Sequence, residues 1–265
     1  MTYDVPTLVE HFVEDVVLNY SCSRHGLLPP GQWRGRDALR AHLRRVDVDY
    51  EPLDAEVLAV LVDGDNTVVR WLSSWRHRAT GQIHRVDMAH FLRWRNGLVA
   101  EMHEFRERYC VPRRAVVLAQ SLDDILNPRG PGLARDEMAR QLIALSSFSF
   151  APDVTRIREM CSRDVVCEFV GDRASISHAG RHRGVEALIN IVRGLGVEFE
   201  QLGLATSEII IDGGMAASRR TVEWRHRGTG RRGHIQLADF VRFEDGRIVE
   251  VVEFGDSMAL LRMRA

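Results

Sequence analysis

Ionisable side chains interrupt two apolar strand patterns in this 265-residue chain. His90 and Glu104 lie in the first pattern, and Asp239 and Glu253 lie at the matching places of the second. Removal from water raises the pKa of a carboxyl group, which suits that group to proton transfer or to donating a hydrogen bond to an oxyanion. We therefore take these four residues as the candidate catalytic groups.

The turn between two strands decides which of these residues share a face. A three-residue loop around Asn96-Gly97, with glycine in the left-handed region, pairs Met88 with Glu104 and places His90 on the same face. A two-residue turn would instead pair His90 with His103, and both registers stay open. The expected pocket residues are Tyr20, Trp71, Trp75, Met88, Leu92 and Met102 in the first half, and Phe169, Trp224, Leu237 and Val251 in the second.

An internal repeat relates the two sets of residues. With an offset of 149 positions, residues 34–39 recur at 183–188, residues 75–81 at 224–230, and residues 97–105 at 246–254. Solenoid repeats have periods of about 20–50 residues, whereas this period is the length of a small domain. The sequence therefore predicts a first domain over residues 1–126, a linker over 127–133 and a second domain over 134–265.

Each half has the same predicted order of elements. A helix comes first, at Pro6–Asp15 in one half and at Pro152–Asp164 in the other, and a short strand, a loop and a second helix follow it. Long strands joined by Asp-Gly, Thr-Gly and Asn-Gly turns complete each half. This order is typical of an α+β fold. Further helices are predicted at Arg135–Phe148 and at Arg113–Leu126, the latter either packed on the first half or a plain connector.

Composition excludes several classes of function. The net charge is −1, so no global field attracts nucleic acid. All 36 basic residues are arginine, which excludes a Schiff-base lysine and a lysine-bearing phosphate loop. No membrane span, signal peptide or metal-ligand spacing is recognisable, so we expect a cytoplasmic protein without a cofactor, a metal or a membrane partner.

Two motifs carry a resemblance to a known family. Both halves contain Arg-Gly-x-x-Ala-Leu and end in Phe-x-x-x-x-x-Gly-x-(Val/Ile)-x-Glu-x-x-Glu. Over about residues 4–108 and 134–258 the chain resembles the SnoaL-like branch of the nuclear transport factor 2-like superfamily. The resemblance implies two tandem cystatin-like cones, each a curved antiparallel sheet wrapped by helices around one apolar pocket. It also implies that the halves pack as an intrachain pseudo-dimer, with a further homodimer left open.

The resemblance also implies roles for the candidate residues. Glu104 and Glu253 stand where SnoaL-like cyclases carry the aspartate of their final strand, the general base. His90 stands where those cyclases carry a histidine, and Asp239 where ketosteroid isomerases carry an oxyanion-hole aspartate.

One departure from the superfamily pattern limits the expected reaction. Tyr20 and Phe169 replace the early acidic base of ketosteroid isomerases, which argues against that activity and against polyether epoxide hydrolases.

The sequence therefore predicts a cofactor-free cyclase, isomerase or dehydratase that acts on a small apolar carbonyl compound. In this scheme Glu104 abstracts a proton next to the carbonyl, and His90 hydrogen-bonds or protonates the developing oxygen. The alternatives are a non-catalytic protein that binds a small ligand or serves assembly, and an epoxide hydrolase-like enzyme. A cavity in the first half alone would favour the enzyme, and filled interiors in both halves would favour the structural role.

Overall fold

The computed structural model describes residues 4–21, 31–109, 131–147, 153–171, 173 and 176–265. The chain divides into two compact units, Met1–Leu126 and Asn127–Ala265. The helix predicted at Arg113–Leu126 and most of the predicted linker lie outside the described residues. The predicted packing of the two halves as a pseudo-dimer stays a prediction.

The first unit has one six-stranded sheet and two helices within its described residues. The strands lie in the order β2-β1-β6-β5-β4-β3. In chain order the elements are α1 (Val5–Glu10), β1 (Phe12–Tyr20), β2 (Gly31–Arg34), α2 (Arg36–Asp49), β3 (Tyr50–Asp63), β4 (Asn66–His77), β5 (Ile83–Arg95) and β6 (Leu98–Tyr109).

The second unit repeats this architecture, with an additional helix before it and another after it in the described residues. Its strands lie in the order β8-β7-β12-β11-β10-β9. The elements are α3 (Arg135–Ser147), α4 (Val154–Met160), β7 (Cys161–Val170), β8 (Gly180–Arg183), α5 (Val185–Glu198), β9 (Phe199–Asp212), β10 (Met215–His226), β11 (Arg232–Glu244), β12 (Arg247–Gly255) and α6 (Ser257–Arg264). The chain therefore consists of two tandem α+β domains of the nuclear transport factor 2-like fold.

Each sheet is mixed, whereas the sequence predicted an antiparallel one. β1 runs parallel to β6, and β7 runs parallel to β12, while the other neighbours are antiparallel. In the first unit α2 carries the chain from one edge of the sheet to the other before the antiparallel strands β3 to β6 begin. β1 and β6 are therefore not joined by a hairpin, and a connection of this kind permits a parallel pair.

The first helix of each unit is shorter than predicted. α1 begins after Asp4, whose side chain accepts a hydrogen bond from the backbone N–H of Thr7, and it ends at Glu10. From Phe12 onward the residues predicted to continue the helix belong to β1, where Phe12 pairs with Val99 of β6. The predicted helix Pro152–Asp164 is corrected in the same way, since α4 ends at Met160.

The turn between β5 and β6 contains two residues rather than three. Asn96 and Gly97 have φ angles of 54° and 77°, and Arg95 pairs with Leu98. Two successive residues with positive φ are characteristic of the tight turn that matches the twist of a hairpin. The predicted three-residue loop is therefore wrong.

A bulge after this turn changes the register. One additional residue of β6, Ala100, lies between the pairs that flank it, and beyond it His90 pairs with Glu104. The predicted pairing of Met88 with Glu104 is off by two residues. A shift of two positions keeps every side chain on its face, so the predicted shared face is correct. The same bulge in the second unit pairs Asp239 with Glu253.

Candidate functional site

A cavity of about 340 Å³ lies inside the first unit, between the sheet and helices α1 and α2. Leu8 of α1 and Leu39, Leu43 and Val46 of α2 form its helical side. On the sheet side, the structure places around it every residue that the sequence predicted for this half: Tyr20, Trp71, Trp75, Met88, Leu92, Met102, His90 and Glu104.

A row of polar side chains crosses the sheet side of this cavity. Tyr20 of β1 pairs with Glu104 of β6, which pairs with His90 of β5. Side chains that are directly opposite on neighbouring strands share a face and lie close together. The strand register therefore brings these three groups into one line across the sheet.

Glu104 is the centre of this row and is 7% exposed. Its Oε2 atom lies 3.0 Å from Nε2 of His90. Its Oε1 atom accepts a hydrogen bond of 2.7 Å from Nε of Arg106 and a second from Nη2 of the same residue. Both oxygens of the carboxylate therefore have a partner, one an imidazole and the other a guanidinium group.

These contacts decide the protonation state of Glu104. Burial alone raises the pKa of this carboxyl group, but the positive charge of Arg106 and the hydrogen bonds from His90 and Arg106 outweigh burial and lower the pKa to about 2. The expectation that an apolar face raises this pKa is therefore wrong for Glu104. The group is an anion at neutral pH and a weak base.

The ionised Glu104 in turn determines the tautomer of His90. A carboxylate can only accept hydrogen bonds, so Nε2 of His90 carries the proton that lies between them. In the neutral imidazole, Nδ1 then holds the lone pair. The ring of Trp71 meets the imidazole edge to face, at 5.4 Å between ring centroids, and helps to hold its orientation.

One arginine and two histidines that the sequence reasoning did not select, Arg106, His42 and His84, also line the cavity. Arg106 follows Glu104 by two positions on β6, so the alternation of a strand could have identified it. His42 lies on the buried face of α2, where it interrupts an apolar stripe of helical spacing. The ring of His42 lies 5.1 Å from that of Tyr20.

His42 is a neutral group in this environment. Burial lowers its pKa, an effect that the charge of Glu104 opposes in part, and the pKa falls to about 4. Its Nδ1 atom is buried and has no hydrogen-bond partner in the described part of the chain. The imidazole adds a polar but uncharged group to a cavity wall that is otherwise formed by helical apolar residues.

At the corresponding place in the second unit, an arginine contacts the two predicted acids. Nε of Arg220 donates to Oδ2 of Asp239 at 2.6 Å, and Nη2 donates to Oδ1 of Asp239 at 3.0 Å and to Oε2 of Glu253 at 2.5 Å. The hydroxyl of Ser218 donates a further hydrogen bond to Asp239. Both predicted acids therefore share one buried guanidinium, and among the described residues neither pairs with a histidine.

The pKa of Glu253 changes in the opposite direction to that of Glu104. Burial raises it, Asp239 adds repulsion, and the attraction of Arg220 offsets these effects only in part, so that the pKa reaches about 7. In this unit the expected rise of a buried carboxyl pKa is confirmed.

Among the described residues of the second unit, the space beside these acids is nearly filled. Phe169, Trp224, Leu237 and Glu253 line a cavity of only about 20 Å³. Leu260 and Met263 of α6, together with Ile176, pack against Trp224 and Leu237 and occupy the space above the sheet. Val251 lies apart, in the core that is formed with α3 and α5.

Metal and membrane sites were also sought in the described residues. No three or more His, Cys, Asp or Glu side chains there are arranged to hold a metal ion. Across the same residues, every helix is too short or too polar to span a bilayer.

Comparison with known proteins identifies a family. A model described as a SnoaL-like domain matches residues 1–102 and 141–251. Similar solved structures include a candidate isomerase from Rhodopseudomonas palustris, 16% identical, which covers 50% of this chain and 98% of its own with a TM-score of 0.45. An NTF2-like protein from Burkholderia xenovorans LB400 is 16% identical over 50% of this chain and 98% of its own, with a TM-score of 0.43.

A third solved structure is IdmH, a candidate polyketide cyclase from Streptomyces antibioticus. It is 19% identical over 48% of this chain and 96% of its own, with a TM-score of 0.40. Each of the three covers about half of this chain. No curated protein matches it.

Proposed function

This chain belongs to the SnoaL-like domain family, and we propose that its first unit is a cofactor-free enzyme acting on a small, largely apolar carbonyl compound. The reaction class is cyclisation, isomerisation or dehydration through an enolate. One observation carries the proposal: a histidine and a carboxylate lie 3.0 Å apart at the wall of an apolar cavity of about 340 Å³.

His90 is the proton-transferring group in this proposal, and Glu104 orients it. Nδ1 of His90 takes a proton from the carbon next to the carbonyl, and the electron pair of the broken C–H bond becomes the enolate. The proton then returns to another carbon in an isomerisation, or to the alkoxide that ring closure produces in a cyclisation. In a dehydration the enolate expels a hydroxyl group from the next carbon, and that group takes the proton and leaves as water. Positioned proton transfer of this kind contributes about 10²–10⁴ in rate.

The roles of His90 and Glu104 differ from those expected from the sequence, because Arg106 keeps Glu104 in its ionised form. A carboxylate with a pKa of about 2, held by Arg106, is poorly suited to removing a proton from carbon. The same carboxylate is well suited to keeping the Nε2–H tautomer of His90 in place. The pair therefore acts as a histidine base with an orienting acid.

The size and lining of the cavity support a small, uncharged ligand. Binding sites for small molecules occupy about 300–1,000 Å³, so this cavity is at the lower end of that range. Glu104 and Arg106 neutralise one another, and His42 is neutral. An apolar carbonyl compound therefore matches the largely apolar lining of this cavity.

We assign a structural role to the second unit. Its interior is nearly filled, and both of its acids are bound to Arg220. An acid that is held by a buried guanidinium in a filled interior has no ligand to act on. This unit therefore stabilises the protein rather than contributing a second reaction site.

Exchange of carbon-bound protons tests the proposal without knowledge of the natural substrate. The full-length protein is incubated with 2-tetralone, a small apolar ketone, in deuterated buffer, and the loss of the α-proton signals is followed by nuclear magnetic resonance. We expect saturable acceleration, reduced at least about a hundredfold in His90→Gln. The control is Glu101→Gln, in which the substituted side chain contacts Arg93 and His103 instead.

One outcome would contradict the proposed catalysis, and another would contradict the role of His90. Saturable binding of 2-tetralone with no accelerated exchange would favour a ligand-binding protein. Equal acceleration by the wild type and His90→Gln would remove His90 from the mechanism.

A further inference from the structure

Arg106 has a donor that its contacts with Glu104 leave unused. Its Nε and Nη2 atoms both donate to Oε1 of Glu104. Within the described part of the chain its hydrogen bonds are these two, so the N–H groups of Nη1 remain for another acceptor. The side chain is 12% exposed and lines the cavity.

The strand register places Arg106 beside the proposed base. Arg106 pairs with Met88 on β5, and the next pair on the same face is Glu104 with His90. Glu104 holds both groups, with His90 on Oε2 and Arg106 on Oε1. One carboxylate therefore holds a base and a cation next to one another in the lining of the cavity.

The second unit lacks this arrangement. The residue that corresponds to Arg106 is Gly255, and the buried arginine of that unit is Arg220, on β10. Arg220 bonds to both acids, and the adjacent cavity is only about 20 Å³. The unit with the large cavity therefore has its arginine on β6, whereas the unit with the small cavity has its arginine on β10.

We infer that Arg106 is a catalytic residue that binds the anionic oxygen of the enolate through Nη1. An ionised phenol resembles an enolate, so phenols should be ligands of this cavity. The inference rests on the proposed function for the identity of the reacting oxygen. Removal of a proton leaves a positive charge on His90 and a negative charge on the enolate oxygen. A fixed cation near that oxygen stabilises the charge where it develops, and it does so most effectively in a water-excluded site.

A phenol that changes colour on ionisation tests this inference independently of turnover. The full-length protein is titrated with 4-nitrophenol at a series of pH values, and the absorbance of the phenolate gives the pH at which the bound probe ionises. We expect the bound probe to ionise at least about one pH unit below the free probe, a tenfold preference for the anion.

Three variants make the result specific. In Arg106→Met the preference for the phenolate should be lost. In Glu104→Gln it should increase, because the guanidinium no longer shares its charge with a carboxylate. The double variant Glu104→Gln/Arg106→Met leaves no unpaired buried charge that could prevent folding, and it should bind the neutral phenol with no preference for the anion. Arg93→Met, at an exposed position on β5, is the matched control and should behave as the wild type.

The inference is overturned if the probe does not bind to the folded wild type at any pH, or if its ionisation is the same in the wild type and in the double variant. Failure of the proposed function has a different signature. In that case 4-nitrophenol shows the dependence on Arg106, while 2-tetralone undergoes no accelerated exchange.

Discussion

Arg220 occupies the position in the second unit that Trp71 occupies in the first. The two residues are 149 positions apart, and they pair with the equivalent residues Met88 and Leu237. The ring of Trp71 packs against the imidazole of His90, whereas the guanidinium of Arg220 binds Asp239 and Glu253. The residue at this position therefore helps to decide whether the interior face of the sheet contains a histidine packed on a ring or a buried network of ion pairs.

The placement of the arginine also explains why two equivalent glutamates differ in acidity. Glu104 has Arg106 and a histidine as partners, and its pKa falls to about 2. Glu253 shares Arg220 with another acid, and its pKa rises to about 7. The two units should therefore respond to pH in opposite directions.

We predict that the ion pair of Glu104 with Arg106 stabilises the first unit above about pH 4.5. The pKa of Glu104 in the folded protein is lower than its ordinary value of 4.5, so its contribution is lost as the pH falls from 4.5 toward 2. The shift corresponds to about 3 kcal/mol. Urea denaturation followed by tryptophan fluorescence should show this additional acid loss in the wild type relative to Glu104→Gln/Arg106→Met. Parallel pH dependences would contradict it.

Glu253 should produce the opposite pH dependence. Its pKa in the folded protein lies above the ordinary value of 4.5, so the fold favours the protonated form. Stability is then greatest below about pH 4.5 and is lost as the pH rises through about 7. In Glu253→Gln the side chain stays neutral, so its free energy of unfolding should change less than that of the wild type between pH 5 and 8. If the two proteins lose the same stability over this range, Glu253 is already ionised at pH 5.

The repeat and the turn signals predicted most of the fold. The long strands were predicted to within a few residues, because their apolar alternation is bounded by Asp-Gly, Thr-Gly and Asn-Gly. The end of α1 was not, since Val9, Phe12 and Val13 have the spacing of a helix although β1 begins at Phe12. The parallel pairing of β1 with β6 depends on the edge of the sheet at which the chain begins β3 after α2. No local sequence pattern indicates that edge.

The candidate site was predicted in part. His90 and Glu104 share a face under the predicted and the observed register, because the bulge at Ala100 and the shorter turn together shift the pairing by two. The pKa of Glu104 was predicted in the wrong direction, because its apolar neighbours were considered without Arg106. His42 comes from a helix that packs over the sheet, and its proximity to Tyr20 follows only from tertiary structure.

Truncation of equivalent core residues should reveal which unit contains the open cavity. Leu237→Ala removes contacts from a filled interior and should cost about 2–5 kcal/mol. Met88→Ala should cost less than half as much, because Met88 already borders empty space and makes fewer contacts on that side. Urea denaturation of both variants measures the difference. Equal losses would mean that the cavity of the first unit closes around its side chains in solution.

The replacement of Glu104 by Gln tests the orienting carboxylate directly. The amide keeps the shape of the side chain but carries no charge, and it can donate to Nε2 of His90, which would place the imidazole proton on Nδ1. The only lone pair of the neutral imidazole would then lie on Nε2, where the newly introduced amide occupies it. We expect the exchange rate of 2-tetralone to fall at least about a hundredfold, with saturation at a similar concentration because the apolar walls are unchanged. Glu101→Gln makes the same chemical change on the same strand, outside the cavity lining, and should leave the rate unaltered. An unchanged rate in Glu104→Gln would show that the charge of Glu104 has no part in the reaction, and His90 would then need another source for its orientation.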